Sequence, residues 1–220
     1  MSGLIVILSS PSGAGKTTIA RRVLAARDDV GFSISATTRP PRENERDGVD
    51  YQFLSREEFL ERRDHGEFLE WAEYNQQLYG TLQADVDELL AGGRHVLLDI
   101  EVQGAQQVRG RRDDAVAIFV LPPSGEALWN RLRGRGSEAP REVVSRLTQA
   151  GWELEHAASY DYLVINDVLD RAVAKVSAII DAEAARTVRQ PQSTEMIDGL
   201  RRDLAARAAR LAETKPEKES

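Results

Sequence analysis

Short apolar runs recur along this chain, each bounded by turn residues, with helical periodicity between them. Leu4-Ile5-Val6-Ile7-Leu8, His95-Val96-Leu97-Leu98-Asp99 and Val116-Ala117-Ile118-Phe119-Val120-Leu121 read as buried strands, the last stopped by Pro122-Pro123. Gly31–Ser35 alternates as a shorter strand, and Tyr160–Asn166 reads as a fifth. Helical spacing fills the intervals: Ile19, Ala20, Val23 and Leu24; Val86, Leu89 and Leu90 before Gly92-Gly93; Leu128 and Leu132; Val143, Val144, Leu147, Ala150, Leu154 and Ala158; and Val173, Val176, Ile179 and Ile180. Strands alternating with helices predict an α/β fold with a five-stranded parallel sheet covered on both faces. Ligands then gather at the carboxyl ends of the strands.

Two segments break this rhythm. From Asp47 to Gly80 short strands mix with one helix: Gly48–Phe53 alternates, Ser55-Arg56-Glu57-Glu58 offers a capping box to a helix carrying Phe59 and Leu60, and Phe68–Tyr74 and Gln76–Gly80 read as strands. Such a mixed insert predicts a small substrate lobe on the main sheet. At the far end, Thr187–Thr194 is polar, contains Pro191 and reads as a linker. Ile197, Leu200, Leu204 and Leu211 then describe an amphipathic helix, and Lys215–Ser220 is expected to be disordered.

The turn after the first strand is Ser10-Pro11-Ser12-Gly13-Ala14-Gly15-Lys16-Thr17, and a helix follows at once. Strand, glycine-rich turn and helix in that order make a phosphate-binding loop, whose backbone N–H groups and helix dipole face the same anion. Gly13 and Gly15 permit the close backbone approach, Lys16 reaches the β- and γ-phosphates, and the Thr17 hydroxyl is placed for Mg²⁺. Ser10 stands where the general pattern has its first glycine. Asp99 closes an apolar strand, the second mark of such proteins, and would hold Mg²⁺ through water; an N-cap role for it is compatible. Arg131, Arg133 and Arg135, interleaved with Gly134 and Gly136, suggest a cationic lid over phosphates, with a solvated basic turn as the plain alternative.

Composition narrows the remaining classes. The formal net charge of -7 lacks the basic excess that general nucleic-acid binding needs. No apolar run reaches the roughly 18–20 residues of a membrane span, and Met1-Ser2-Gly3 leads so quickly into a strand that no signal or transit peptide is expected. The absence of cysteine excludes disulfides and thiol catalysis and suits a cytoplasmic setting. His65, His95 and His156 have no ligand spacing and read as surface or edge residues.

Phe32–Asp50 (FSISATTRPPRENERDGVD), Tyr51-Gln52-Phe53, Phe68–Ala72, Tyr79-Gly80-Thr81, Leu98–Gly104, the Arg-Gly-Ser-Glu segment at 135–138 and Val164–Asp167 together closely resemble guanylate kinase, in order, from about Leu4 to about Arg186. The resemblance implies Mg²⁺-dependent transfer of the ATP γ-phosphoryl group to GMP, and to dGMP, in purine nucleotide metabolism. It implies a core of 1–34 and 86–186, a GMP-binding insert of about 35–85, a lid of about 133–145 and a tail of 187–220. On that pattern ATP meets Ser10 through Thr18, Arg135 and Asn166, while GMP meets Ser35, Arg39, Arg42, Tyr51, Glu70, Tyr79, Thr81 and Glu101. Lys16, Arg135 and Arg146 surround the transferring group.

The residue chemistry agrees with those roles. Arg39 and Arg42 suit a dianionic phosphate, Tyr51 and Tyr79 add phenol donors, and one carboxylate at Glu70 can accept both N1–H and the 2-amino group of guanine. Family members often carry aspartate where Glu101 stands. Two other readings compete: a guanylate-kinase-like interaction module without catalysis, and a sister kinase for another phosphorylated small molecule. The intact Lys16, Thr17, Asp99, Arg39 and Arg42 oppose the first, and the set of Glu70, Ser35 and Thr81 opposes the second. Expected partners are ATP and GMP, with neither nucleic acid nor membrane. The tail, with eight Lys/Arg against six Asp/Glu from 186 to 220, is free to dock on its own acidic core, a second subunit or another protein.

Overall fold

The structure is a computed structural model that describes residues 3–74, 76–133 and 140–213. Its main sheet holds β1 (Ile5–Ser9), β2 (Val30–Phe32), β7 (His95–Asp99), β8 (Val116–Leu121) and β9 (Tyr162–Ile165) in the order β2-β7-β1-β8-β9. Every neighbouring pair is parallel, with Val6 opposite both Leu97 and Val116. Alternation along β1 divides the core into two layers. Leu4, Val6 and Leu8 join Ile19 and Val23 of α1 (Lys16–Ala26) and Val176 and Ile180 of α7 (Leu169–Ala184). Ile5 and Ile7 face the other way, against Val86 of α3 (Gln83–Ala91) and Val108 of α4 (Val102–Arg111). The central strands β1, β7 and β8 are covered on both faces, which is why their runs are apolar throughout and not alternating.

The insert is a second sheet of order β4-β3-β6-β5, made of β3 (Ala36–Thr37), β4 (Gln52–Phe53), β5 (Phe68–Tyr74) and β6 (Gln77–Leu82). β5 and β6 form an antiparallel hairpin. The helix α2 (Arg56–Asp64) starts at the predicted capping box, Ser55 and Glu58 each holding the other's backbone N–H. Its Phe59 stacks on Phe68 with ring centroids 4.3 Å apart, over Ala36, Leu78 and Leu82. β5 is one of the two edge strands of the lobe, and α4 covers that edge. The Gln107 amide exchanges two hydrogen bonds with the Trp71 main chain, at 3.2 and 2.7 Å, and Arg111 donates to the carbonyls of Phe68 and Leu69.

Several expectations need correcting. The strand expected over Gly31–Ser35 ends at Phe32, because the chain leaves β7 there and crosses to the lobe at Ala36. Of the strand expected over Gly48–Phe53 only Gln52-Phe53 pairs regularly, since Gly48 takes a positive φ of 71° in a turn closed by Gly48 N–H to the Tyr51 carbonyl. The fifth strand is shorter, Tyr162–Ile165, and α4 has no counterpart in the periodicity reading. The long helix is α6 (Pro140–Glu155), followed by a 3₁₀ turn at Ala157–Ser159. His95 is buried at the start of β7, not on the surface. The stretch taken as a linker contains a 3₁₀ turn, Thr187–Arg189, and from Pro191 is already helix α8 (Pro191–Glu213). Proline suits a first helical position, where its missing N–H has no intrahelical partner to lose. Lys215–Ser220 and residues 134–139 of the predicted lid lie outside the described residues; α5 (Gly125–Arg133) ends where that segment begins.

Among the described residues, no helix is long and apolar enough to cross a membrane. α8 leaves Met196, Ile197, Leu200 and Leu204 exposed, whereas Arg189 and Gln190 before it still bond the body through the carbonyls of Asp114 and Ala184. A chain ending at Gln190 is therefore expected to unfold within about 2 °C of the full chain, a difference below about 1 kcal/mol. Differential scanning calorimetry checks this, and a drop of several degrees would show that α8 is part of the stabilising core.

Candidate functional site

All five core strands run the same way, so their carboxyl ends share one edge of the sheet. β1 delivers Ser10–Thr17 there, β7 delivers Asp99, Ile100 and Glu101, and β9 delivers Asn166. The turn needs two backbone conformations that side chains resist: Gly13 has φ 86° and Gly15 φ 95°. A Cβ on Gly15 would also lie 2.5 Å from Asn166 Nδ2. That amide donates to the Ala14 carbonyl at 2.7 Å. Arg131 bridges the same carbonyl and that of Asn166, both at 3.1 Å. Asn166, predicted as an ATP contact, is a buried brace of the turn in this structure. Ser10 is buried, and its hydroxyl bonds the Pro11 carbonyl at 3.0 Å.

Lys16 is buried at the first position of α1. Its Nζ donates to the Ile100 carbonyl at 2.9 Å and meets Asp99 at 3.0 Å and Glu101 at 3.3 Å. Burial acts against its charge, but the Glu101 and Asp99 carboxylates outweigh burial and hold the ammonium above its ordinary pKa. Thr17 and Thr18 are exposed and line the cleft beside Lys16. Asp99 therefore pairs with the lysine, and Glu101, expected on the GMP side, sits against Lys16 as well.

The cleft holds about 420 Å³ and runs from this turn to the lobe, where Ser35, Tyr51, Glu70 and Tyr79 line it. Glu70 is only 5% exposed. Thr81, opposite it in the β5–β6 register, donates its hydroxyl to Glu70 Oε1 at 2.6 Å. Burial pushes the Glu70 carboxyl up to about 7, and the Thr81 hydrogen bond opposes that only in part. Gly104 of α4 backs the carboxylate so closely that a side-chain carbon there would collide with Glu70 Oε2. Tyr51 and Tyr79 meet edge to face, ring centroids 6.3 Å apart, and the Arg39 guanidinium lies 5.3 Å from the Tyr51 ring centre.

Neither Arg39 nor Arg42 lines the cleft itself. Arg39 is ion-paired with Glu45 at 2.9 Å, and Arg42 is 76% exposed with Glu45 at 3.8 Å. Arg146 of α6 donates to the Ser12 hydroxyl at 3.2 Å, so the structure brings it to the turn. Arg135 lies outside the described residues.

Periodicity and motif reading missed four contributors: Gly104, the brace made by Arg131, and the α6 residues Gln149 and Glu153, which line the cleft. A signal was available for the last two, because Arg146, Gln149 and Glu153 follow at i, i+3 and i+7 on one helical face. Glu153 accepts from Ser12 N–H at 3.1 Å. Burial, with Glu101 beside it, pushes its carboxyl up to about 7.

The guanylate kinase family model matches residues 2–183. The guanylate kinase of Symbiobacterium thermophilum is 50% identical over 187 residues, 85% of this chain and 89% of that one. The guanylate kinase of Thermus thermophilus is 49% identical over 210 residues, 94% of this chain and 93% of its own length. The crystal structure of guanylate kinase from Anaplasma phagocytophilum superposes with a TM-score of 0.74 at 33% identity, covering 90% of this chain and 95% of that one. The chain belongs to the guanylate kinase family.

Proposed function

We propose that this cleft is where the chain carries out its family's reaction, transfer of the γ-phosphoryl group of ATP to GMP, with the donor on the Ser10–Thr17 turn and the acceptor on the lobe. One observation carries the reading: a single cleft joins a phosphate-binding turn to a buried carboxylate that is braced by a hydroxyl and backed by a glycine. An oxygen of the GMP phosphate attacks the γ-phosphorus as the bond to the ADP oxygen breaks. The acceptor oxygen is already anionic, so positioning and charge neutralisation supply the catalysis and no general base is needed.

Lys16 neutralises the β- and γ-phosphates after loosening its hold on Glu101, the more exposed of its two acidic partners. Arg146, with Arg135, answers the charge on the transferring group. Arg39 and Arg42 exchange Glu45 for the acceptor phosphate, and the Tyr51 and Tyr79 hydroxyls join them. Glu70 accepts N1–H and the 2-amino group of guanine, and Ser35 and Thr81 complete that pocket. Adenine offers neither donor and would leave a buried carboxylate unpaired, a mismatch that discriminates on the order of 10⁴-fold. The 2′-hydroxyl does not enter these contacts, so dGMP is a substrate as well. Closure of the lobe over the phosphate turn excludes water, which would otherwise take the phosphoryl group.

The Thr17 hydroxyl and the Asp99 carboxylate are hard oxygen donors at the mouth of the phosphate turn, a donor set that fits Mg²⁺ with retained waters. When bound with ATP, the metal neutralises phosphate charge. A coupled assay of ATP with GMP, dGMP, AMP and UMP tests the whole reading: turnover with the two guanine nucleotides alone is expected, and equal turnover with AMP would reject Glu70 as the selector.

Three variants follow from these roles. Lys16→Ala should lower kcat by about 10²-fold or more with the circular dichroism spectrum unchanged; a rate near that of the parent would remove Lys16 from the mechanism. Gly104→Ala should raise the GMP KM about tenfold while the ATP KM holds, because the new methyl displaces Glu70. For Glu70 the pH dependence has a definite sign. Its raised pKa means that the empty cleft carries a protonated Glu70 below about 7, and a proton there competes with guanine. The GMP KM should therefore rise as pH falls from about 8 to 6, by up to about tenfold per unit below the midpoint. Glu70→Gln should have a high GMP KM at every pH and lose that part of the slope, leaving the nucleotide phosphate's own titration.

A further inference from the structure

The roles above leave one buried acid of the cleft unused. Glu153 is 2% exposed. It is held at both oxygens, Oε2 accepting from Ser12 N–H at 3.1 Å and Oε1 from Gln149 Nε2 at 3.3 Å. On the same face of α6, seven residues earlier, Arg146 donates to the Ser12 hydroxyl at 3.2 Å. One helix face thus grips one residue of the phosphate turn twice, at its main chain and at its side chain. The two gripping residues are separated along the helix by about 10 Å at 1.5 Å per residue. Two anchors that far apart determine how a helix lies against its support; one anchor leaves it free to pivot.

Main-chain Ser12 is the firmer of the two anchorages, because the turn is itself braced by Asn166 and Arg131 at the Ala14 carbonyl. A full carboxylate beside an incoming phosphate would be repelled. Burial and the neighbouring Glu101 raise the Glu153 pKa to about 7, so the group can hold its place as a neutral acid.

We propose that Glu153 is a positioning residue for phosphoryl transfer: its hydrogen bond from Ser12 N–H sets how α6 lies on the phosphate turn and so carries the Arg146 guanidinium to the transferring group. The inference rests on the role given to Arg146 above. Glu153 acts through that arginine, and a displacement of about 1 Å in a charge-neutralising group can cost on the order of 10²-fold in rate. Its removal is therefore felt in kcat and not in GMP binding, which the lobe supplies.

The test is a double-mutant cycle on kcat and both KM values, using the full chain, with a melting curve for each variant. Glu153→Ala should lower kcat by about ten- to a hundredfold with the GMP KM unchanged within about twofold. Glu153→Gln should recover most of that rate, since its amide oxygen also accepts from Ser12 N–H. In the Arg146→Ala background, Glu153→Ala should cost no more than about a further twofold. Undiminished kcat in Glu153→Ala, or a loss of the same size with and without Arg146, would overturn the proposal. Undiminished kcat in Arg146→Ala would remove its premise and with it the arginine's role in the reaction, an outcome distinct from failure of Glu153 alone. Should Glu153→Ala not fold, Glu153→Asp keeps the carboxylate but shortens its reach by one methylene. The same loss of kcat is then expected, and parental kcat would overturn the assignment.

Discussion

A buried ammonium must find partners, and much of the site follows from how Lys16 finds them. Isolated in the interior, its charge would cost several kcal/mol. The parallel sheet resolves this by geometry: β1 and β7 are neighbours in register, so the end of one presents Lys16 to the end of the other, where the Ile100 carbonyl and the carboxylates of Asp99 and Glu101 stand. The lysine is held by acids in the empty protein.

A second constraint acts at the other end of the cleft. Glu70 is a carboxyl kept almost dry, with one hydroxyl on one side and a glycine on the other. Left empty, it is an unfavourable group, and its pKa rises accordingly. In the role proposed for it, a base with two donors on one edge relieves that burial, and a base without them does not. The strand that bears the cost is not left to itself, since α4 of the core clamps it through Gln107 and Arg111.

Between these two ends the empty structure keeps its cations engaged. Arg39 and Arg42 hold Glu45, Lys16 holds Glu101, and Arg146 holds Ser12. Each contact is one a phosphate oxygen can replace. In the proposed reaction, phosphate oxygens of the substrates take the places of Glu45, Glu101 and Ser12 beside these cations.

Much of this was legible in the residue order. Three apolar runs, a glycine-rich turn and a capping box are local patterns, and local sterics and burial demand them whatever else the chain does; β1, β7, β8, the phosphate turn and the start of α2 appear where these patterns lie. The motifs of the insert marked out Glu70, Thr81, Tyr51 and Tyr79, and these do meet around one pocket. What the order of residues could not decide was which charges face each other across long separations. Glu101 belongs with Lys16, Glu153 with Ser12 and Gly104 with Glu70 because sheet register and helix docking bring them together, 85, 141 and 34 residues apart. Pro191 misled for the opposite reason: proline ends a helix from within but begins one comfortably, and only the backbone on either side tells which. Periodicity is a property of neighbours along the chain and can be read there; pairing is a property of neighbours in space, and the tertiary fold alone creates them.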